Sequence, residues 1–214
     1  MEDTRDRILH LLQRGKGKTA AGLAVELALA TATVRRHLDI LQRDNLVRFE
    51  AIYQRKGRPQ YAYSLTEQGQ ELLPRDYHRL AIGIMRETAA LSNEDLKTAD
   101  GEGLLSLIID RMAHRSVDSY TGRFAGNMTE LEARVVETTS ILQELGFFAE
   151  YERQGDNFLI KCYNCPYHRV ALAQPRVCEL DFNFVQGLLK TQVERLTPAE
   201  GEKGCLYLVH HSQL

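Results

Sequence analysis

Apolar positions in the first 45 residues recur at helical spacing in three short runs. In TRDRILHLLQR (residues 4–14), Ile8, Leu11 and Leu12 share one face, with Thr4 placed to cap the start and Gly15 to end the helix. Thr19 is suited to cap a second short helix, with Leu23, Val25 and Leu27 as its apolar contacts. After a break at Ala28–Ala30, Thr31 opens a third helix, TATVRRHLDILQRDN. Its Val34, Leu38 and Leu41 stand at i, i+4 and i+7, which leaves Thr33, Arg35, Arg36 and His37 to project elsewhere. The period then changes to alternation. Residues 46–53 (LVRFEAIY) and 61–65 (YAYSL) read as two strands around a tip, QRKGRPQ, that carries Arg55, Lys56 and Arg58 beside a Gly and a Pro.

Two short helices, the second opening on small polar and basic residues, followed by a hairpin, form a winged helix-turn-helix. The second helix of such a motif enters a major groove with its N-terminal residues at the base edges. Arg pairs bidentately with guanine, and Thr offers a hydroxyl and a methyl. Thr31, Thr33, Arg35, Arg36 and His37 are therefore the candidate base readers, although His37 could equally pack against the wing. The cations of the tip, Arg55, Lys56 and Arg58, suit phosphate or minor-groove contact.

Further along, Thr66 caps another helix, and Leu72, Leu73, Leu80, Ile84 and Leu91 carry an apolar stripe interrupted by Pro74. Residues 92–102 (SNEDLKTADGE) are polar and read as a loop. Residues 103–117 and 128–145 are amphipathic helices, the second with a Thr129/Glu132 capping box and Gly146 at its C-terminal end. Leu104, Leu105, Ile108 and Ile109 could meet a second copy or pack within one chain. From residue 147 the alternation returns, with strands over 147–153 and 157–163. A helix starting at Pro175 buries Val177, Leu180, Phe184 and Leu188, and a last hairpin runs over 193–196 and 205–209. The expected fold class is α+β. Its parts are a winged helix-turn-helix over 1–66, helices for linkage and dimerisation over 67–146, and a small α+β sensing domain over 147–214.

Charge sharpens this division. The formal net charge of −2 conceals +5 over residues 1–60 and −7 over the remainder. A basic head on an acidic body fits a polyanion partner for the head alone. No apolar run reaches the length of a membrane span, and the charged N-terminus lacks the apolar core of a secretory signal. A cytoplasmic location without a membrane partner follows as the expectation. Clustered cysteines in that compartment bind metal or do redox chemistry more often than they form structural disulfides.

All four cysteines lie in the last quarter, as C-x2-C-x12-C-x26-C: Cys162, Cys165, Cys178 and Cys205. An iron–sulfur cluster and a tetrahedral zinc both fit four thiolates. Only the first pair is tight, which leans away from a zinc ribbon with its two knuckles. Catalytic thiols are disfavoured, because no C-x-x-C lies in a thioredoxin-like βαβ pattern and no Gly-rich nucleotide loop or Ser/His/Asp constellation is present. The expectation is therefore a protein that is not an enzyme.

The stretch VRRHLDILQRDNLV…RKGRPQYAYSLTEQG resembles bacterial winged-helix repressors of the ArsR/DeoR-like kind. The tail CYNCPYHRVALAQPRVCELDFNFVQGLLKTQVERL…GEKGCLYLV resembles the SufR family, repressors that carry an iron–sulfur cluster and control cluster-assembly genes. The resemblance is strongest in NCPYH, PRVC and GCLYLV. It implies a sequence-specific repressor that binds a double-stranded operator as a homodimer under control of a [4Fe–4S] or [2Fe–2S] cluster. By position the implied ligands are Cys165, Cys178 and Cys205, with Cys162 or His168 for the fourth. The alternative is a winged-helix regulator with structural zinc and a small-molecule effector.

Overall fold

The computed structural model describes residues 3–15, 17–53, 59–124, 130–198 and 204–211. They divide into two compact units, Met1–Pro74 with Pro198–Lys203 and Arg75–Thr197 with Gly204–Leu214. The fold is mixed α+β, with the helix-turn-helix in the first unit and a four-stranded sheet in the second.

The first unit contains α1 (Thr4–Gln13), β1 (Lys18–Thr19), α2 (Ala20–Leu27), α3 (Thr31–Arg43), β2 (Val47–Ile52), β3 (Gln60–Leu65) and α4 (Glu67–Glu71). Thr19 caps α2 as expected, its side chain accepting from the Gly22 N–H at 3.1 Å. Ala28 then takes a left-handed conformation, which ends α2 and turns the chain into α3. Val34, Leu38 and Leu41 are all buried on one face of α3, which packs on α1 and α2, where Ile8, Leu9, Leu12, Leu23 and Leu27 are also buried. The helical phase differs from expectation in two places. On α1 the core takes Leu9 rather than Leu11. On α2 the core takes Ala20 and Ala24, while Val25 is 83% exposed. Both helices pack by the 3.6 period, and an eight-residue helix with one buried stripe has no room for residues at both 23 and 25. The caps also differ. Asp3 and Ala30, not Thr4 and Thr31, hold the N-cap positions of α1 and α3, and neither makes a side-chain cap bond.

The sheet of this unit has the order β1-β3-β2, antiparallel throughout, with Phe49 opposite Tyr63 and Ala51 opposite Tyr61. The short β1 has too few residues to show alternation, so only pairing to Ala62 and Tyr63 reveals it. The wing tip with Arg55, Lys56 and Arg58 lies outside the described residues. Behind the hairpin, Thr66 accepts from the Gly69 N–H at 3.0 Å and donates to the Asn45 carbonyl at 2.6 Å. This clamp presses α4 so close to the α3–β2 turn that a Cβ on Gly69 would stand 2.0 Å from the Leu46 carbonyl oxygen.

The second unit opens with α5 (Tyr77–Ala89), α6 (Asn93–Thr98) and α7 (Gly101–Tyr120), a 3-10 turn at Thr121–Phe124, and α8 (Leu131–Glu144). Then come β4 (Ala149–Gln154), β5 (Asn157–Cys162), α9 (His168–Ala173), α10 (Val177–Leu189), β6 (Val193–Leu196) and β7 (Cys205–Val209). The expected loop over 92–102 is instead α6 followed by the start of α7. Ser92 accepts from the Asp95 N–H and the Asp95 carboxylate accepts from the Ser92 N–H, a complete capping box in a segment with no apolar stripe. The expected Thr129 cap of α8 lies outside the described residues. The interrupted stripe around Pro74 falls partly between helices, since α4 ends at Glu71 and α5 begins at Tyr77: Leu73 and Leu80 are buried, whereas Leu72 and Ile84 are exposed. Ile108 and Ile109 pack within the chain, in a cluster with Leu80, Met112, Val177 and Leu180.

The four strands lie antiparallel in the order β4-β5-β7-β6. Register places Ile160 between Tyr151 and Tyr207, and Cys162 opposite both Ala149 and Cys205. Because side chains alternate along a strand, Phe158, Ile160 and Cys162 share one face with Cys205, Tyr207 and Val209. Helices α8 and α10 supply Val135, Ile141, Leu142, Phe184, Val185 and Leu188 to the core on that face. Among the described residues no helix is long and apolar enough to cross a membrane.

A Gly69→Ala substitution should cost about 1–3 kcal/mol, since the backbone of the α3–β2 turn has to move to admit one methyl group. Chemical denaturation measures it. A loss below roughly 0.5 kcal/mol would mean that the close approach at Leu46 relaxes freely.

Candidate nucleic-acid interface and thiol site

The first candidate site is the outward face of α3. The apolar phase that buries Val34, Leu38 and Leu41 turns Thr33, Arg35 and Arg36 to solvent, while Thr31 and His37 are half-buried. His37 has its Nδ1 in a buried position with no hydrogen-bond partner. Exposed aromatic and apolar side chains line the wing beside it. Phe49, Ile52, Tyr53 and Tyr61 are all exposed, with Phe49 edge-on to Tyr61 at 5.0 Å between ring centroids. This surface offers what a groove-entering helix needs: two guanidinia and a threonine on the solvent-exposed side of its first turns.

The second candidate site is built at one end of the C-terminal sheet, from four separate pieces of chain. Cys162 ends β5 and faces Cys205 at the start of β7. The approach of these strands is tight. Gly204 sits at a φ of +114°, and a Cβ there would lie 2.0 Å from the Cys162 carbonyl oxygen. Cys165 lies in the loop after β5, which is pinned from several sides. Asn164 is buried, its amide donating to the Gly146 carbonyl at 2.7 Å and its backbone N–H to Phe147 O at 2.9 Å. Arg75 donates to Asn164 Oδ1 at 2.6 Å and to the Cys165 carbonyl at 3.0 Å. Cys178 enters from the first turn of α10. His168 opens α9, its N–H bonded to the Cys165 carbonyl.

Three of the four thiols have a polar neighbour that favours the thiolate: the Tyr167 backbone for Cys165, Arg195 for Cys178 and Tyr207 for Cys205. Cys162 has no such neighbour and is the most deeply buried of the four. Burial dominates in every case. It pushes Cys205 up to about 11 and raises Cys178, and it holds Cys162 and Cys165 well above the ordinary thiol value.

At the centre lies a residue that the sequence reading missed. Asp181 is buried on α10, one turn after Cys178, and its charge acts on all four thiols. Its own carboxyl is pushed up to about 7 by burial, against the pull of Arg79 and Arg195. A signal existed: Asp181 follows Val177 by four residues, so it falls on the buried stripe, where a lone carboxylate is expensive. Arg79 in turn donates through Nε to the buried Tyr167 hydroxyl at 3.0 Å. Among the described residues no group of three or more His, Cys, Asp or Glu side chains closes to the spacing of a single metal ion.

Residues 2–48 match the family model described as "Bacterial regulatory protein, arsR family". No curated protein matches. Among solved structures, the chain is similar to an apo mutant of Lactococcus lactis ZitR. The two share 23% identity at a TM-score of 0.28, over 44% of this chain and 71% of that one. It is also similar to Bacillus subtilis PadR in complex with operator DNA, at 15% identity and a TM-score of 0.30, over 87% of this chain and 96% of that one.

The raised carboxyl gives a pH prediction. A group whose folded value lies above its unfolded value stabilises most below the unfolded value and loses that contribution as pH rises through the folded one. For Asp181 the fall runs from about pH 4 to about 7 and is flat above. The stability difference between wild type and Asp181→Asn, from denaturant unfolding under reducing conditions, should therefore move in favour of Asn across that window. A difference independent of pH would show that the carboxyl is not held neutral by burial.

Proposed function

We propose that this chain, by its N-terminal domain an arsR-family DNA-binding transcriptional regulator, is a repressor whose operator binding is controlled by an iron–sulfur cluster in its C-terminal unit. It acts as a homodimer on a double-stranded operator and governs cluster-assembly genes. The observation that carries the cluster reading is the pairing of Cys162 with Cys205 at one end of the sheet, with Cys165 in the loop that leaves β5 and Cys178 in the first turn of α10. The SufR-like tail implies Cys165, Cys178 and Cys205 as ligands.

Four thiolates suit an iron–sulfur cluster or a tetrahedral zinc, and the SufR-like tail favours the cluster. Cys165, Cys178 and Cys205 would hold it, with Cys162 or His168 as the fourth ligand. Bound there, it supplies a centre that oxidation or iron shortage removes. The chain's own residues do the rest. Tyr167 N–H, Arg195 and Tyr207 stabilise thiolate charge, and ligation ties the Cys165 loop, the start of α10 and the start of β7 into one arrangement. In the first unit Thr33, Arg35 and Arg36 read base edges, helped by Arg55, Lys56 and Arg58 on phosphates. Control follows if the ligated arrangement favours the form of the dimer that fits both half-sites, a bias on a two-state equilibrium.

Anaerobic purification followed by visible absorption and iron, sulfide and zinc analysis tests the cofactor. Iron with acid-labile sulfide is expected, and one zinc per colourless chain would replace the reading. Arg36→Ala should weaken binding to the operator by about 1–3 kcal/mol and leave the absorption spectrum intact. Cys178→Ser should lose the spectrum and weaken DNA binding with it. Full operator affinity in a cluster-free Cys178→Ser protein, read by fluorescence anisotropy, would sink the control mechanism.

A further inference from the structure

A cavity of about 320 Å³ lies within the second unit, between α5, α7 and α10, and shares Arg79, Tyr167 and Asp181 with the surroundings of the thiols. Its volume is at the small end of the range for small-molecule sites. The walls are mostly apolar, with Ile82 from α5, Met112 from α7, and Leu180 and Phe184 from α10. Three guanidinia also reach it, from Arg79, Arg86 and Arg115, together with His78. Two carboxyls oppose them. Glu87 is only 2% exposed and is taken by Arg115 at 2.6 Å. Asp181 sits at the inner end, beside the Tyr167 hydroxyl that Arg79 binds.

Charge therefore does not balance at this cavity. Arg115 and Glu87 cancel, and Arg79 is engaged with Tyr167 and with Asp76 at 3.4 Å. Arg86 is exposed, and its guanidinium has no hydrogen bond or ion pair among the described residues. Arg86, Ile82 and His78 follow one another at four-residue intervals along α5, so they present one stripe to the same space. An apolar chamber with an uncommitted guanidinium at its side suits a molecule with a hydrocarbon body and one negative end. A guanidinium fork matches a carboxylate bidentately.

We propose that this cavity binds a small amphipathic monocarboxylate, its hydrocarbon part against Ile82, Met112 and Phe184 and its carboxylate on Arg86. The site does not depend on the iron–sulfur reading, because no cysteine lines it. It shares α10 with the thiol site, since Leu180, Asp181 and Phe184 follow Cys178 on the same helix. Occupancy therefore bears directly on the helix that carries one of the proposed ligands.

The test is isothermal titration of the full-length chain with octanoate, octanol and octylamine, which share one tail and differ in head charge. The expected result is saturable binding of octanoate at one site per chain. Octanol should bind about tenfold or more weaker, and octylamine should not saturate. Arg86→Glu, an exposed position, should weaken octanoate by about tenfold or more with the unfolding midpoint unchanged. Equal binding of all three probes, no octanoate binding, or octanoate binding unaffected by Arg86→Glu would overturn the proposal. So would sedimentation showing a dimer that Ile82→Glu converts to monomers, since this wall would then be a contact between copies.

Discussion

A carboxyl group buried at the start of α10 sets the terms for everything around it. Ionised in an apolar interior without a partner, such a group is too costly to keep, and a protein either neutralises it or surrounds it with opposite charge. Asp181 does both in part. Burial pushes its titration up to about 7, while Arg79 and Arg195 act from different elements to pull it down. Each arginine is also committed elsewhere, Arg79 to Tyr167 and Arg195 to Cys178. The carboxyl thus lies in the field of two cations, one of which binds the hydroxyl of a core tyrosine. Removing the cations would leave the buried carboxyl with burial unopposed. Little else explains why a helix with Val177, Leu180, Phe184 and Leu188 on its buried side carries an acid there.

The same burial governs the thiols. All four lie above their ordinary range, with burial the largest cause each time. A metal centre takes thiolates, so loading such a site releases protons and tightens as pH rises. Polar neighbours lower that cost selectively, at Cys165, Cys178 and Cys205 but not at Cys162. Of the four, Cys162 therefore bears the largest burial cost as a thiolate. It lies opposite Cys205, under the close approach of Gly204.

Legibility in the sequence follows the range of the interaction. The face of α3 was readable because Val34, Leu38 and Leu41 fix its phase within eight residues, and that phase decides where Arg35 and Arg36 point. Thr19 was readable because a cap is local. The hairpins were readable from their alternation and turns. Missed features are those settled by distant partners or by signals without hydrophobicity. Strand β1 exists only because Ala62 and Tyr63 pair with it. Helix α6 announces itself through Ser92 and Asp95 alone, in a segment with no apolar stripe to mark it.

The thiol site stands between these cases. Its residue types were conspicuous, since four cysteines in 44 residues need a reason. The pairing of Cys162 with Cys205 was not derivable from spacing, because it depends on the antiparallel register of β5 and β7. Asp181 shows the remaining gap. A helical-phase reading places it on the buried stripe, where an acid conflicts with the pattern, and a local rule broken inside a well-formed core marks a functional site more often than an error. Taken at face value, that conflict would have pointed from the sequence to the centre of the site. The cysteines alone pointed only to its edge.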